Sequence, residues 1–176
     1  MIHLDHLTTT PPLPEVIDAM RPWHESHFGA AGSLHQLGLE ARDALDEARS
    51  RFAKLVNPTD PEEIIFTSNG TEAVNLAVKG AALANRRFGK HIVTTQIEHP
   101  AVLGSIAWLG EQGFERTQLS VDNQGRIDPA ALGQALRDDT ALVCLHHASH
   151  DLGTIQPIAE GARPVSYTHL TLPTKA

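Results

Sequence analysis

Residues 63–76, Glu63-Ile64-Ile65-Phe66-Thr67-Ser68-Asn69-Gly70-Thr71-Glu72-Ala73-Val74-Asn75-Leu76, constrain the fold of this chain more than any other stretch. Ile64 to Phe66 is a short apolar run of the kind that makes a buried parallel strand. Ser68-Asn69-Gly70 breaks it as a turn cluster. Ala73, Leu76, Ala77, Gly80, Ala81 and Leu83 then recur at i, i+3, i+4 spacing, which predicts a helix. A strand, a tight glycine turn and a helix start together leave backbone N–H groups unpaired at the positive end of a helix dipole. That place suits an anion, and a phosphate best. Thr71 adds a hydroxyl donor. The same shape also serves as an ordinary strand-to-helix turn with an N-cap, so order alone leaves both open.

The rest of the chain repeats the alternation. Pro14 to about His27 reads as a first helix with proline in its opening turn. Ser33 is expected to cap a long second helix to about Val56, with Leu34, Leu37, Ala41, Ala44, Leu45, Ala48 and Phe52 on one face. The helix of residues 71–87 ends with Gly89 as its C-cap. His91 to Gln96 is a second strand, closed by Glu98-His99-Pro100, and a helix runs from Pro100 to Gln112. Glu115 to Leu119 is a third strand, 121–128 a turn region, Pro129 to Leu136 a short helix, and Ala141 to His146 a fourth, apolar strand. A turn through Gly153 precedes a last helix starting near Pro157. This rhythm predicts an α/β fold, with helices flanking a mostly parallel sheet. Residues 1–13, with Pro11-Pro12, read as an extended N-terminal arm.

Composition excludes little but is consistent. The 176 residues suffice for one domain with a sizeable core. The net charge of −7 argues against nucleic acid or an anionic membrane as partner. The single Cys144 rules out an internal disulfide and fits a reducing, cytoplasmic setting. No apolar run approaches the roughly 18 residues of a membrane span, and Met1 to Asp5 has no signal-peptide shape.

Several motifs point the same way. Ile64-Ile65-Phe66-Thr67-Ser68-Asn69-Gly70-Thr71-Glu72-Ala73-Val74-Asn75-Leu76-Ala77 resembles the phosphate loop of class V aminotransferase-fold enzymes, specifically the cysteine desulfurases, which use pyridoxal 5′-phosphate (PLP). Leu4 to Pro11 resembles their N-terminal signature, with Leu7 and Thr8 in place of two small residues. Phe28-Gly29, Ser33-Leu34-His35 and Gly38 follow in family order. The resemblance spans residues 1–163 and implies the large domain of a fold-type I PLP-dependent transferase, in part, over 14–163. It further implies sulfur removal from L-cysteine for iron–sulfur clusters or thiolated products, a sulfur-acceptor protein, and a homodimer. Selenocysteine lyases, kynureninase-like lyases and small-substrate aminotransferases share the fold and remain open. A non-catalytic fragment binding phosphate or a partner protein is the alternative from another class.

In an open parallel sheet the ligand sits past the carboxyl ends of the strands. The resemblance assigns Gly70 and Thr71 to the cofactor phosphate and His99 to stacking on the cofactor ring and moving protons. Thr8 and Thr9 fall on the substrate side. His150, in Ser149-His150-Asp151-Leu152-Gly153-Thr154, stands where the family has an asparagine bonded to the ring hydroxyl, and an imidazole N–H can donate the same bond. His146, His147 and His150 are expected to hold no metal, because no carboxylate or cysteine set completes the cluster. Cys144 is expected to be a buried small hydrophobe.

PLP catalysis in this fold needs a lysine that joins the cofactor covalently. None of Lys54, Lys79, Lys90 and Lys175 lies in a motif resembling the family's, so the chain as written is expected to be inactive. Residues 164–176 break the rhythm. Val165 to Thr174 can be reverse-translated into GTCTCTTATACACATCTGACGCTGCCGACG, which resembles a transposon-type sequencing adapter, so this tail is expected to be non-native.

Overall fold

A computed structural model of the chain describes residues 2–3, 5–6 and 9–165, with the backbone only for 162–165. The expected non-native tail lies outside the described residues from 166 on. The chain divides into two compact units, Met1–Phe66 and Thr67–Ala176.

The first unit carries α1 (Pro14–Glu25), α2 (Gln36–Val56) and a 3-10 turn at Pro61–Glu63. Pro14 opens α1 where a missing N–H costs nothing. The cap of α2 is not Ser33. His35 takes the N-cap position, and its Nδ1 accepts from the backbone N–H of Gly38 at 3.3 Å. The Ser33 loop closes so tightly on the helix that a Cβ on Gly38 would meet the Ser33 carbonyl oxygen at 2.3 Å. Asn57, left-handed at φ 52°, ends α2.

Ile64 to Phe66 is not a strand. Ile65 is 66% exposed, and the sheet of the described residues does not include this segment. A buried strand needs hydrogen-bonded neighbours. Here the Arg49 guanidinium has taken the Ile64 carbonyl instead, and also lies 5.3 Å from the centroid of Phe66. Phe66 packs edge-on against Phe52.

The second unit is the α/β body. It runs α3 (Gly70–Asn85), β1 (His91–Thr95), α4 (Pro100–Glu111), β2 (Glu115–Leu119), α5 (Pro129–Ala135), β3 (Thr140–Val143) and α6 (Ile158–Val165). The sheet order is β2-β1-β3, and both pairings are parallel. All five residues of β1 are buried, as a central parallel strand requires. Successive side chains alternate faces. Ile92 joins Val78, Ala82, Ile106 and Leu109 of α3 and α4 in one cluster, whereas Val93 joins Leu119, Ile127 and Leu132 on the α5 side. The result is a three-layer sandwich.

Two expectations shift here. α3 ends at Asn85, and Gly89 is no C-cap: Arg86 caps the helix in right-handed conformation. Gly89 instead admits the Asp139 backbone, whose carbonyl oxygen a Cβ would meet at 1.9 Å. β3 stops at Val143 rather than reaching His146, because the His146 backbone N–H leaves the sheet and donates to the Glu98 carboxylate at 3.1 Å.

His91 ties the base of the sheet together. It is fully buried, with Nδ1 2.8 Å from the Thr140 hydroxyl and Nε2 2.8 Å from that of Thr117. Burial holds its pKa below the ordinary histidine value; Arg137 adds to the effect, and Asp139 and Glu115 oppose it. The folded state therefore keeps His91 neutral at pH values where the unfolded chain protonates it. Its contribution to stability is complete above about pH 6.5, the unfolded value, and is lost as pH falls through the depressed folded value. The urea midpoint should fall between pH 7 and pH 5 more steeply in the native chain than in His91→Asn. Equal slopes would remove His91 from the pH response.

Candidate functional site

The carboxyl ends of β1 and β3 are adjacent in the sheet, and the residues leaving them converge. His99 is the N-cap of α4, its Nδ1 accepting from the Ala101 N–H at 3.1 Å. That bond makes Nδ1 an acceptor, so the ring's proton resides on Nε2, the nitrogen left for a ligand. His150 lies on the loop after β3, and its ring centroid is 5.4 Å from that of His99, tilted by 46°. The two histidines, which the sequence places after different strands, are therefore in ring contact in the fold. His150 Nε2 is 3.5 Å from the exposed Asp151 carboxylate.

α3 supplies the helix N-terminus. Asn69 is its N-cap, the side-chain oxygen accepting from the Glu72 N–H at 2.9 Å. Glu72 reaches back and accepts from both the backbone N–H and the hydroxyl of Ser68, at 2.6 and 2.7 Å. These bonds hold the Glu72 carboxyl below the usual carboxylate range, the hydroxyl contributing most. This reciprocal cap commits Ser68 and Glu72 to each other. Gly70 and Thr71 remain exposed in the first turn, where helix N–H groups have no intrahelical acceptor. A Cβ built on Gly70 would meet nothing within 4 Å, so the approach is open. α3 and α4 pack side by side against one sheet face, so the N-termini carrying Thr71 and His99 belong to neighbouring helices. Anion donors on one helix and a flat, titratable ring on the next fit what PLP requires of a site.

Sequence reasoning missed Glu98. Its side chain is only 2% exposed. One carboxylate oxygen, Oε1, receives the Thr95 hydroxyl at 2.9 Å, the His146 backbone N–H at 3.1 Å and His146 Nδ1 at 3.1 Å. On the far side of the His146 ring, Gln156 Nε2 lies 3.5 Å from Nε2 while donating to the Gly125 carbonyl at 2.6 Å. Its Oε1 accepts from the Ile127 N–H at 3.0 Å. Nothing in Ile97-Glu98-His99-Pro100 marks Glu98 as buried, since an unpaired glutamate is normally at the surface.

The remaining candidates stand apart. Thr8 lies outside the described residues. Thr9 belongs to the first unit, where its carbonyl accepts from His3 Nε2 at 3.4 Å. Cys144 packs against the α3–α4 cluster, and desolvation, followed by the Glu98 charge, pushes its thiol up to about 12. It is inert as a thiolate at neutral pH. Among the described residues no group of three or more His, Cys, Asp and Glu is arranged to hold a metal ion. Lys79 sits 4.9 Å over the Trp108 ring and Lys90 6.0 Å from that of Phe114, and Lys54 is in the last turn of α2. Among the described residues no helix is long and apolar enough to cross a membrane.

The family model for aminotransferase class-V matches residues 2–167. The chain belongs to the class-V aminotransferase family. Among curated relatives it is 46% identical over 159 residues to the cysteine desulfurase IscS of Dictyoglomus turgidum, a match covering 90% of this chain and 40% of that protein. The putative cysteine desulfurase IscS 1 of Bacillus subtilis is 45% identical over 159 residues, with 90% and 42% covered. Among solved structures, a NifS-like protein superposes with a TM-score of 0.89 at 32% identity, over 96% of this chain and 46% of that one. SspA in complex with cysteine gives 0.87 at 31% identity, over 94% and 48%. The chain thus spans about two fifths of the length of these curated relatives, and the class-V assignment accounts for its parallel sheet and flanking helices.

Proposed function

We propose that this chain is the N-terminal part of a PLP-dependent cysteine desulfurase, which takes sulfur from L-cysteine and passes it to an acceptor for iron–sulfur clusters or thiolated products. The observation that carries this reading is the convergence of His99 and His150, on the segments that follow two adjacent parallel strands, with α3, whose N-terminus is open, packed against the helix that His99 caps. Relatives at 45–46% identity bearing the name cysteine desulfurase supply the reaction. A homodimer and cytoplasmic residence complete the proposal.

When bound, PLP supplies the electron sink for the reaction. The chain's own residues hold and orient it. The Gly70 and Thr71 N–H groups and the Thr71 hydroxyl bind the phosphate, aided by the helix dipole. His99 would lie against the ring and hold or move a proton at Nε2, its Nδ1 being fixed by the Ala101 N–H. His150 donates a ring N–H to the cofactor's hydroxyl, replacing an amide. Lys79 lies over the Trp108 ring and Lys90 beside that of Phe114, and the 176-residue chain is expected to hold PLP without a covalent bond and to release no alanine from cysteine.

The test is a fluorescence titration of the chain with PLP. Thr71→Ala should weaken binding by roughly 1–2 kcal/mol, the scale of a charge-assisted hydrogen bond. Borohydride treatment of the complex should label no internal lysine. Unchanged affinity in the variant would take Thr71 out of the site, and stoichiometric labelling of one lysine would refute the non-covalent mode.

A further inference from the structure

We propose that His146, gripped by Glu98, is a positioning residue that sets the spacing of the His99–His150 pair. The inference rests on the reading of that pair as the cofactor-ring site. Its basis is the route the chain takes to each histidine. Glu98 directly precedes His99, and its carboxylate is locked from the inside by the Thr95 hydroxyl and by two donors of His146. The peptide leading into His99 therefore has little freedom to turn.

The route to His150 starts from the same node. Residues 146–156 form a tight hairpin: Ala148 and Ile155 bridge antiparallel, the Gln156 N–H donates to the His147 carbonyl at 2.8 Å, and the Ser149 N–H donates to Thr154 at 2.9 Å. Gly153, at φ 68°, closes the turn with its N–H on the Ser149 carbonyl, and Leu152 N–H adds a bond to the Ser149 hydroxyl. His150 rides near the tip of this hairpin, and the foot of the hairpin is His146. The foot is fastened to Glu98 on one side and, through Gln156, faces the 125–127 turn on the other. One buried carboxylate oxygen thereby fixes the origin of both arms. Removing one of these donors leaves a buried acceptor unsatisfied, so the grip is stiff.

The network also fixes the proton. Glu98 accepts, so His146 Nδ1 must donate, and Nε2 is then the acceptor facing the Gln156 amide. Asparagine can reproduce a donor near the Nδ1 position, and leucine cannot.

The experiment uses the full 176-residue chain labelled with nitrogen-15 at histidine. Nitrogen-15 spectra of the native chain should show His146 in the Nδ1–H form and His99 in the Nε2–H form. In His146→Leu the ring signals of His99 and His150 should move and broaden, and PLP affinity should fall about tenfold, the equivalent of one positioned hydrogen bond. His146→Asn should restore both. An Nε2–H form for His146 in the native chain overturns the proposal without any variant, so a misfolded His146→Leu does not leave it undecided. Unmoved signals in a folded His146→Leu, or an Asn variant as impaired as the Leu variant, overturn it equally. If the native chain binds no PLP, the proposed function falls, and the ring signals alone decide the role of His146.

Discussion

Gly89→Ala should cost this fold on the order of 3 kcal/mol, at the upper end for overpacking a closed interior. A Cβ at that position would lie 1.9 Å from the Asp139 carbonyl oxygen, 2.4 Å from its carbon and 2.6 Å from its Cα. The obstacle is backbone, which cannot swing aside as a side chain does. It is also pinned. The Asp139 carbonyl accepts from the His91 N–H at 3.1 Å, and its carboxylate takes two bonds from Arg137 at 2.8 Å each. Relief would have to open the β1–β3 seam at its first residue. Gly104→Ala in α4 is the control. Nothing lies within 4 Å of its would-be Cβ, so helix propensity alone should stabilise by about 0.5–1 kcal/mol. Urea denaturation of both variants gives the comparison. Similar midpoints would mean that the Gly89 approach is not tight in solution.

The largest functional effect is expected at His99. In a complete enzyme carrying this segment, His99→Ala should lower turnover by roughly 10²–10⁴-fold, the range for a lost general acid–base group. PLP content should fall far less, because in the proposed site the phosphate is held by Gly70 and Thr71 rather than by His99. The Ala101 N–H bond leaves Nε2 as the working nitrogen. His99→Asn, which keeps an N-cap acceptor but cannot titrate, should be as slow as the alanine variant while retaining the α4 cap. Normal turnover in either variant would remove His99 from the chemistry. Loss of cofactor in proportion to activity would make it a binding residue only.

Local sequence determined most of the elements. β2 falls on Glu115–Leu119 as expected, bounded by Gly113 at φ 82° and the turn at 121–127. Proline at the first turns of α1, α4 and α5 and the i, i+3, i+4 pattern of α3 are near-neighbour signals, which survive any tertiary arrangement. The motifs around Gly70, His99 and Gly153 likewise sufficed to place the chain in its family. Tertiary structure decided what depends on partners distant in sequence. Ile64–Phe66 has strand-like side chains, but a strand is made by its neighbours, and Arg49 occupies the Ile64 carbonyl instead. Gly89 looked like a cap because no local signal reports that Asp139, fifty residues on, approaches its α-carbon. Glu98 reads as an ordinary surface charge until the His146 N–H and ring, 48 residues away, turn it into the buried acceptor that joins two strand ends. Hydrogen bonds and steric exclusion act over a few ångströms of space, and only the folded chain determines which residues those few ångströms contain.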